Sequence, residues 1–175
     1  MRDCDVLEKN PHITSSALEA IHSHVFGWAL SRCNFDHAVA EDLMQQAYVE
    51  LLSGNARFDN KSSLQTFVFG VVQNLARSRL RRLASRLRLV RHNDYMRAVT
   101  TADATDADAS SDVWVAVQQL PARQRDIVEL IFCRDLTIAE ASAVMGVSIG
   151  TGRTHYDRAK KALKLRLQET RELDQ

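Results

Sequence analysis

The stretch TIAEASAVMGVSIGTGRTHYDRAKKALKLRL, Thr137 to Leu167, decides how this chain folds. It reads as two helices joined by a three-residue turn, the second of them strongly basic. Thr137 and Glu140 make a T-x-x-E capping box for the first helix. Ile138, Ala141, Val144 and Met145 recur at helical spacing and supply its apolar face, and Gly146 stands where a left-handed C-cap is needed. Ser148 is placed to cap the second helix, whose buried side is expected to carry Tyr156, Ala159, Leu163 and Leu167. Arg153, His155, Arg158, Lys160, Lys161 and Lys164 are left for another surface. A helix-turn-helix sets the N-terminal part of its second helix in a major groove, so this segment is expected to read duplex DNA. The plainer alternative is a helical hairpin whose basic residues are merely solvated.

Composition bounds the rest of the chain. With 175 residues, 45% of them apolar, only two prolines and six glycines, a globular and mostly helical protein is expected. The formal net charge of +1 conceals a segregation: Lys61 to His92 holds eight Lys or Arg and no acid, whereas Ala98 to Ala122 holds four Asp and no base. Cys4, Cys33 and Cys133 are odd in number, far apart and without C-x-x-C spacing, which argues against a disulfide framework and a zinc site. No segment resembles a signal peptide, and none approaches the roughly 18 apolar residues of a membrane span. The expectation is a cytoplasmic protein with reduced thiols and no membrane insertion.

Along the chain, residues 1–15 read as a flexible leader. A first helix follows through Leu18, Ile21, Val25, Trp28 and Ala29 to about Arg32, and a second over about His37 to Leu52, buried through Leu43, Ala47, Tyr48, Leu51 and Leu52. Gly54 and Asn55 end it. After a polar loop, a third helix is expected to bury Phe67, Val68, Val71, Val72 and Leu75, and its continuation carries Arg77, Arg79, Arg81, Arg82, Arg86, Arg88 and Arg91. The run TTADATDADASSD, Thr100 to Asp112, has no apolar residue larger than alanine and cannot offset its ordering entropy. It divides the chain into a helical domain over 16–97, an acidic tether over 98–112 and a second helical domain over 113–175, which opens near Val113 and has Pro121 suited to a helix start.

Catalysis is not expected. The histidines are scattered, no H-E-x-x-H or G-x-S-x-G occurs, and the G-x-G at Gly150 to Gly152 follows no strand. Neither a metal nor a cofactor is implied. Seven arginines within Arg77 to Arg91, with no acid among them, repel one another unless polyanion phosphates or a partner's carboxylates neutralise them, and a phosphate backbone fits best. Just upstream lie Phe58, Phe67, Phe69 and Asn74, aromatic faces and an amide of the kind that hold an unstacked base; Phe67 fits a core position equally well.

Three segments in this order resemble the extracytoplasmic-function group of the sigma-70 family of bacterial RNA polymerase sigma factors. AEDLMQQAYVELL, Ala40 to Leu52, resembles the helix that grips the polymerase clamp; SSLQTFVFGVVQNLARSRLRR, Ser62 to Arg82, the element that melts and reads the minus-ten promoter element; and LPARQRDIVELIF through RAKKAL, Leu120 to Leu163, the minus-thirty-five reader. The resemblance implies an all-α protein of two small domains, the second containing the helix-turn-helix, that binds core RNA polymerase and promoter DNA. By position, Glu41, Asp42 and Gln45 are expected to face the clamp. Ser62, Ser63, Phe67 and Asn74 are expected to meet the minus-ten strand, with Arg77, Arg79, Arg81 and Arg82 beside them. Ser148, Thr151, Arg153, Thr154, His155 and Arg158 are expected to meet the minus-thirty-five duplex.

This chain departs from the family pattern at several positions. Phe67 stands for a usual tryptophan, Ser78 for an aspartate, and Val39 and Gln46 for acids beside the clamp motif. Gly152 replaces a β-branched residue that normally locks the two reading helices together, which predicts a cavity and a marginally ordered second domain. The missing acids raise a further expectation, that phosphate on Ser53, Ser62, Ser63 or Thr66 supplies the charge, as an alternative to control by an anti-sigma factor; the simpler reading is that the remaining Glu41, Asp42 and Glu50 suffice. The rival functional readings are a stand-alone helix-turn-helix regulator and a helical adaptor that binds only protein.

Overall fold

The computed structural model describes residues 13–90 and 112–173, in which there is helix, turn and irregular backbone and no strand. The chain forms two compact units, divided between Ala102 and Asp103. Most of the tether expected over 98–112 lies outside the described residues, as do residues 1–12 and Arg91, and nothing is described of the Arg88 side chain.

The first unit packs α1 (Ser15–Arg32), α2 (His37–Leu52) and α3 (Leu64–Val90) against one another. Ahead of α1, Ile13 is buried and the Thr14 side chain accepts from the Ala17 N–H at 3.2 Å, capping the helix. Trp28 centres the core. Its ring is wholly buried against Phe69, with centroids 5.8 Å apart, and its indole Nε1–H donates to the Phe69 carbonyl at 3.1 Å. That contact fixes the rotation of α3: Val68, Phe69, Val72 and Ala76 point inward while Phe67, Val71 and Leu75 are only half-buried, one residue out of phase with the sequence expectation. In α2 the buried set is Ala40, Leu43, Met44, Ala47 and Leu51; Tyr48 is half-buried and Leu52 exposed, contrary to expectation. From Arg79 to Arg86 every side chain of α3 is exposed, so the helix projects beyond its core.

The second unit comprises α4 (Asp112–Gln118), α5 (Ala122–Phe132), α6 (Ile138–Met145) and α7 (Ile149–Leu173). Its core joins Val117, Leu120, Val128 and Ala159, with Ala162 and Leu163 partly covering them. Arg166 of α7 ties back to α4 by donating to the Ala116 carbonyl at 3.3 Å. Tyr156 and Leu167 are half-buried, not interior; Tyr156 lies between Phe132, at 6.2 Å between ring centroids, and the Lys160 ammonium, 4.6 Å from its ring.

Local chemistry sets α6 and the turn after it. Glu140 N–H donates to Thr137 Oγ1 at 3.3 Å while the Thr137 N–H donates to Glu140 Oε2 at 2.9 Å, completing the capping box. Gly146 takes the left-handed conformation at φ 64° and ends the helix. Thr137→Ala removes one half of this reciprocal cap, and a loss of about 1 kcal/mol is expected in urea unfolding of the full chain.

Candidate functional site

Three rows of polar or charged side chains lie outside the two cores. The first belongs to α2. With its apolar residues turned inward, the outer side presents Glu41, Asp42, Gln45 and Gln46, followed by the exposed Val49 and Leu52. Asp36 caps this helix by accepting from the Val39 N–H at 3.0 Å. Asp42 is not isolated: Arg79 Nη1 donates to its Oδ2 at 2.9 Å, both side chains being half or more exposed. The arginine run of α3 is therefore opposed by an acid from another helix, which corrects the expectation of seven unopposed arginines. Nearby, burial pushes the Cys33 thiol pKa above its ordinary range, the opposite of what a reactive cysteine needs.

The second row belongs to α3 and the loop before it. Ser63 Oγ accepts from the Thr66 N–H at 3.1 Å and shares a hydrogen bond with the Thr66 hydroxyl at 2.8 Å, so Ser63 is the N-cap of α3. Thr66 is 2% exposed, and a phosphate has no room there; the expectation of a phosphoacceptor at Thr66 is withdrawn on that ground. The Ser53 hydroxyl donates to the Glu50 carbonyl and the Ser62 hydroxyl to the Ser63 carbonyl, each at 3.3 Å.

Phe69, wholly buried, belongs to the core and presents no face to a base. Phe67 does, half-buried beside Phe58 with ring centroids 5.1 Å apart. Residues 67, 74 and 81 stand two turns apart in succession and share one side of the helix. Gly70 lies on that side between Phe67 and Asn74, and a Cβ built there meets nothing within 4 Å. The result is an open strip running from Phe67 over bare backbone to the exposed Asn74 and on to Arg81, with Arg82 exposed beside it and Arg77 half-buried.

The third row belongs to α7. Ser148 Oγ accepts from the Thr151 N–H at 3.1 Å, the cap expected from the sequence, and Thr154 Oγ1 donates to the Gly150 carbonyl at 3.0 Å. Arg153, Thr154, Arg158 and Lys161 are exposed, whereas His155 is half-buried. Between them stands Asp157, exposed and 3.5 Å from the Lys160 ammonium. The sequence reading passed over it, although it is the only acid from Ile149 to Gln168 and that isolation was visible.

Gly152 overturns a second expectation. A Cβ built there would fall 2.0 Å from Ser142 Oγ and 3.1 Å from Ser142 Cβ, with Ile127 Cδ1 at 3.4 Å. No cavity lies beneath the glycine, because the serine of α6 fills the space that a side chain at residue 152 would take. Ser142 is 1% exposed and donates to the Ile138 carbonyl at 2.6 Å, so its hydroxyl is both packed and bonded. The predicted cavity cost does not apply to this chain.

Among the described residues no group of His, Cys, Asp or Glu is arranged to hold a metal ion, and no helix is long and apolar enough to cross a membrane. Comparison with known proteins gives two family matches: sigma-70 region 2 over residues 18–86 and sigma-70 region 4 over residues 110–163. The sigma factor SigF of Caulobacter vibrioides is 29% identical over 129 residues, covering 73% of this chain and 70% of its own length. The sigma factor SigC of Mycobacterium tuberculosis is 26% identical over 135 residues, with the same coverage of both chains. Among solved structures, the sigma factor RpoE in complex with the anti-sigma factor NepR from Bartonella quintana shares the fold at a TM-score of 0.68 and 23% identity, covering 87% of this chain and 95% of that one. CnrH in complex with the cytosolic domain of CnrY does so at 0.59 and 20%, covering 94% and 95%.

Proposed function

The chain belongs to the sigma-70 family of bacterial RNA polymerase sigma factors, in its extracytoplasmic-function group, and from that membership we propose how its three rows divide the work of transcription initiation. As an alternative sigma factor it directs core polymerase to a subset of promoters. Bond making stays with the polymerase, and we assign no catalytic residue to this chain and place it in the cytoplasm. Residues 16–97 act as region 2, 98–112 as the tether and 113–175 as region 4.

The observation that carries the division is the chemical opposition within the first unit. The outer side of α2 offers carboxylates, which repel phosphate and suit a basic protein surface, with amides beside them, and Glu41, Asp42 and Gln45 bind the polymerase clamp there. The strip on α3 offers an aromatic edge, bare backbone, an amide and arginines, which suit an unpaired strand. Phe67 and Asn74 meet its bases, the loop at Ser62 and Ser63 lies beside it, and Arg77, Arg81 and Arg82 meet its phosphates; Arg79, paired with Asp42, joins them when the clamp takes that carboxylate. On α7, Ser148, Thr151, Arg153, Thr154 and Arg158 enter the minus-thirty-five groove. His155 stands at its flank, and Asp157 accepts a hydrogen bond from a base such as cytosine. An anti-sigma factor is the regulator we favour, supported by RpoE, whose structure was solved with one bound. Ser53, Ser62 and Ser63 remain the candidate acceptors for a kinase.

Reconstituted transcription with purified core polymerase tests this division. Arg153→Ala should lower initiation at the native upstream element by about 5- to 150-fold, the value of a base contact worth about 1–3 kcal/mol. An equal loss on promoters scrambled at that element would mean that Arg153 touches only phosphate.

A further inference from the structure

The turn between α1 and α2 contains two consecutive residues in the left-handed backbone region, Asn34 at φ 57° and Phe35 at φ 62°. Asparagine visits that region readily; a bulky aromatic residue does so against steric opposition from its own Cβ. The turn is firmly bonded, with the Cys33 and Phe35 N–H groups both donating to the Leu30 carbonyl, at 3.1 and 2.9 Å, and the Asp36 N–H donating to the Cys33 carbonyl at 3.1 Å. These bonds hold Phe35 in its strained conformation, yet the fold does not bury the ring, of which 52% stays open. Asparagine or glycine would serve the turn with less strain. A strained, half-open aromatic is what a binding anchor looks like before its partner arrives.

The surroundings identify the class of partner. Asp36, next in the chain, caps α2, and one turn further along that helix Glu41 and Asp42 are exposed. The turn leads straight into α2, whose Asp42 carries the ion pair with Arg79. The arginines nearby are engaged, Arg79 by Asp42 and Arg32 over the Trp28 ring. Phe35 runs directly into Asp36 and the exposed carboxylates of α2, so what seats the ring also meets the α2 row, a protein with cations around an apolar recess. We propose that Phe35 anchors the polymerase interface, filling an apolar pocket of core RNA polymerase rimmed by basic side chains, at the entrance to the α2 row. This rests on the assignment of α2 to polymerase binding.

The test is the affinity of the full chain for purified core polymerase, measured together with thermal unfolding, for the wild type, Phe35→Asn and Phe35→Leu. Phe35→Asn should leave the melting midpoint unchanged or raised and weaken polymerase binding at least about tenfold, as loss of an anchor does; Phe35→Leu should fall between. If the wild type binds and Phe35→Asn binds equally well, the anchor is overturned while the function of α2 stands. If the wild type itself does not bind core polymerase, the assignment of α2 falls first. A fall of many degrees in the melting midpoint of both variants would make Phe35 a support of the fold and overturn the anchor. So would a promoter-opening defect that persists once polymerase is saturated with Phe35→Asn, since it would place the ring on DNA.

Discussion

Asp42→Arg is expected to weaken binding to core RNA polymerase by about a hundredfold while leaving the helical circular dichroism unchanged. The first half follows from the exposed position of Asp42 in the row assigned to the clamp, where reversing a charge against a complementary surface costs several kcal/mol. The second follows from the exposure of the Asp42 and Arg79 side chains, 67% and 50%, because an ion pair so open to water contributes about 0–1 kcal/mol to folding. The double variant Asp42→Arg with Arg79→Asp separates the two effects. It restores an ion pair of opposite sense and should regain whatever stability was lost, but not the affinity. Recovery of polymerase binding in the double variant would mean that the pair positions α2 and that the carboxylate itself makes no contact with the clamp.

Gly152→Val is expected to destabilise the second unit by about 2 kcal/mol or more, lowering its melting midpoint by on the order of 10 °C and abolishing selection of the upstream element. Even the first added carbon would lie 2.0 Å from Ser142 Oγ. The serine cannot rotate away cheaply, since its hydroxyl is buried and donates to the Ile138 carbonyl, and breaking that bond strands a polar group. Adding Ser142→Ala to Gly152→Val removes the oxygen and leaves a Cβ contact of 3.1 Å, so partial rescue is expected. A Gly152→Val chain as stable as the wild type would show that the α6 and α7 contact has slack that the close approach denies.

What could be read in the sequence was whatever neighbouring residues decide. The capping box of Thr137 and Glu140, the left-handed Gly146 and the cap at Ser148 each depend on groups within three or four residues, and all three are present. The rotation of α3 was not legible, because FVFGVV, Phe67 to Val72, is apolar on every side of a helix and periodicity cannot choose among its faces. The choice was made by Trp28, 41 residues away, whose indole N–H donates to the Phe69 carbonyl. The short helix α4 was missed for a related reason. DVWVAVQ alternates too closely and is too short to declare a helical period, and it takes its place by packing on α7. The fit of Ser142 to Gly152 could not be read either, since each residue looks unremarkable until two helices bring them together. The candidate interfaces were visible as residue types, but the pairing of Asp42 with Arg79 joined two surfaces that the sequence had kept apart.

That ion pair makes the two surfaces answer to each other. On the roles assigned above, a clamp that takes the Asp42 carboxylate strips Arg79 of its acid and turns it toward an anion, and by reciprocity a phosphate held by Arg79 releases Asp42 to the clamp. The link can be no stronger than the contact it exchanges. A pair worth at most about 1 kcal/mol caps the mutual enhancement at about fivefold, and added salt erodes it further. On those roles, assembly with polymerase and capture of the promoter are weakly cooperative within one three-helix unit.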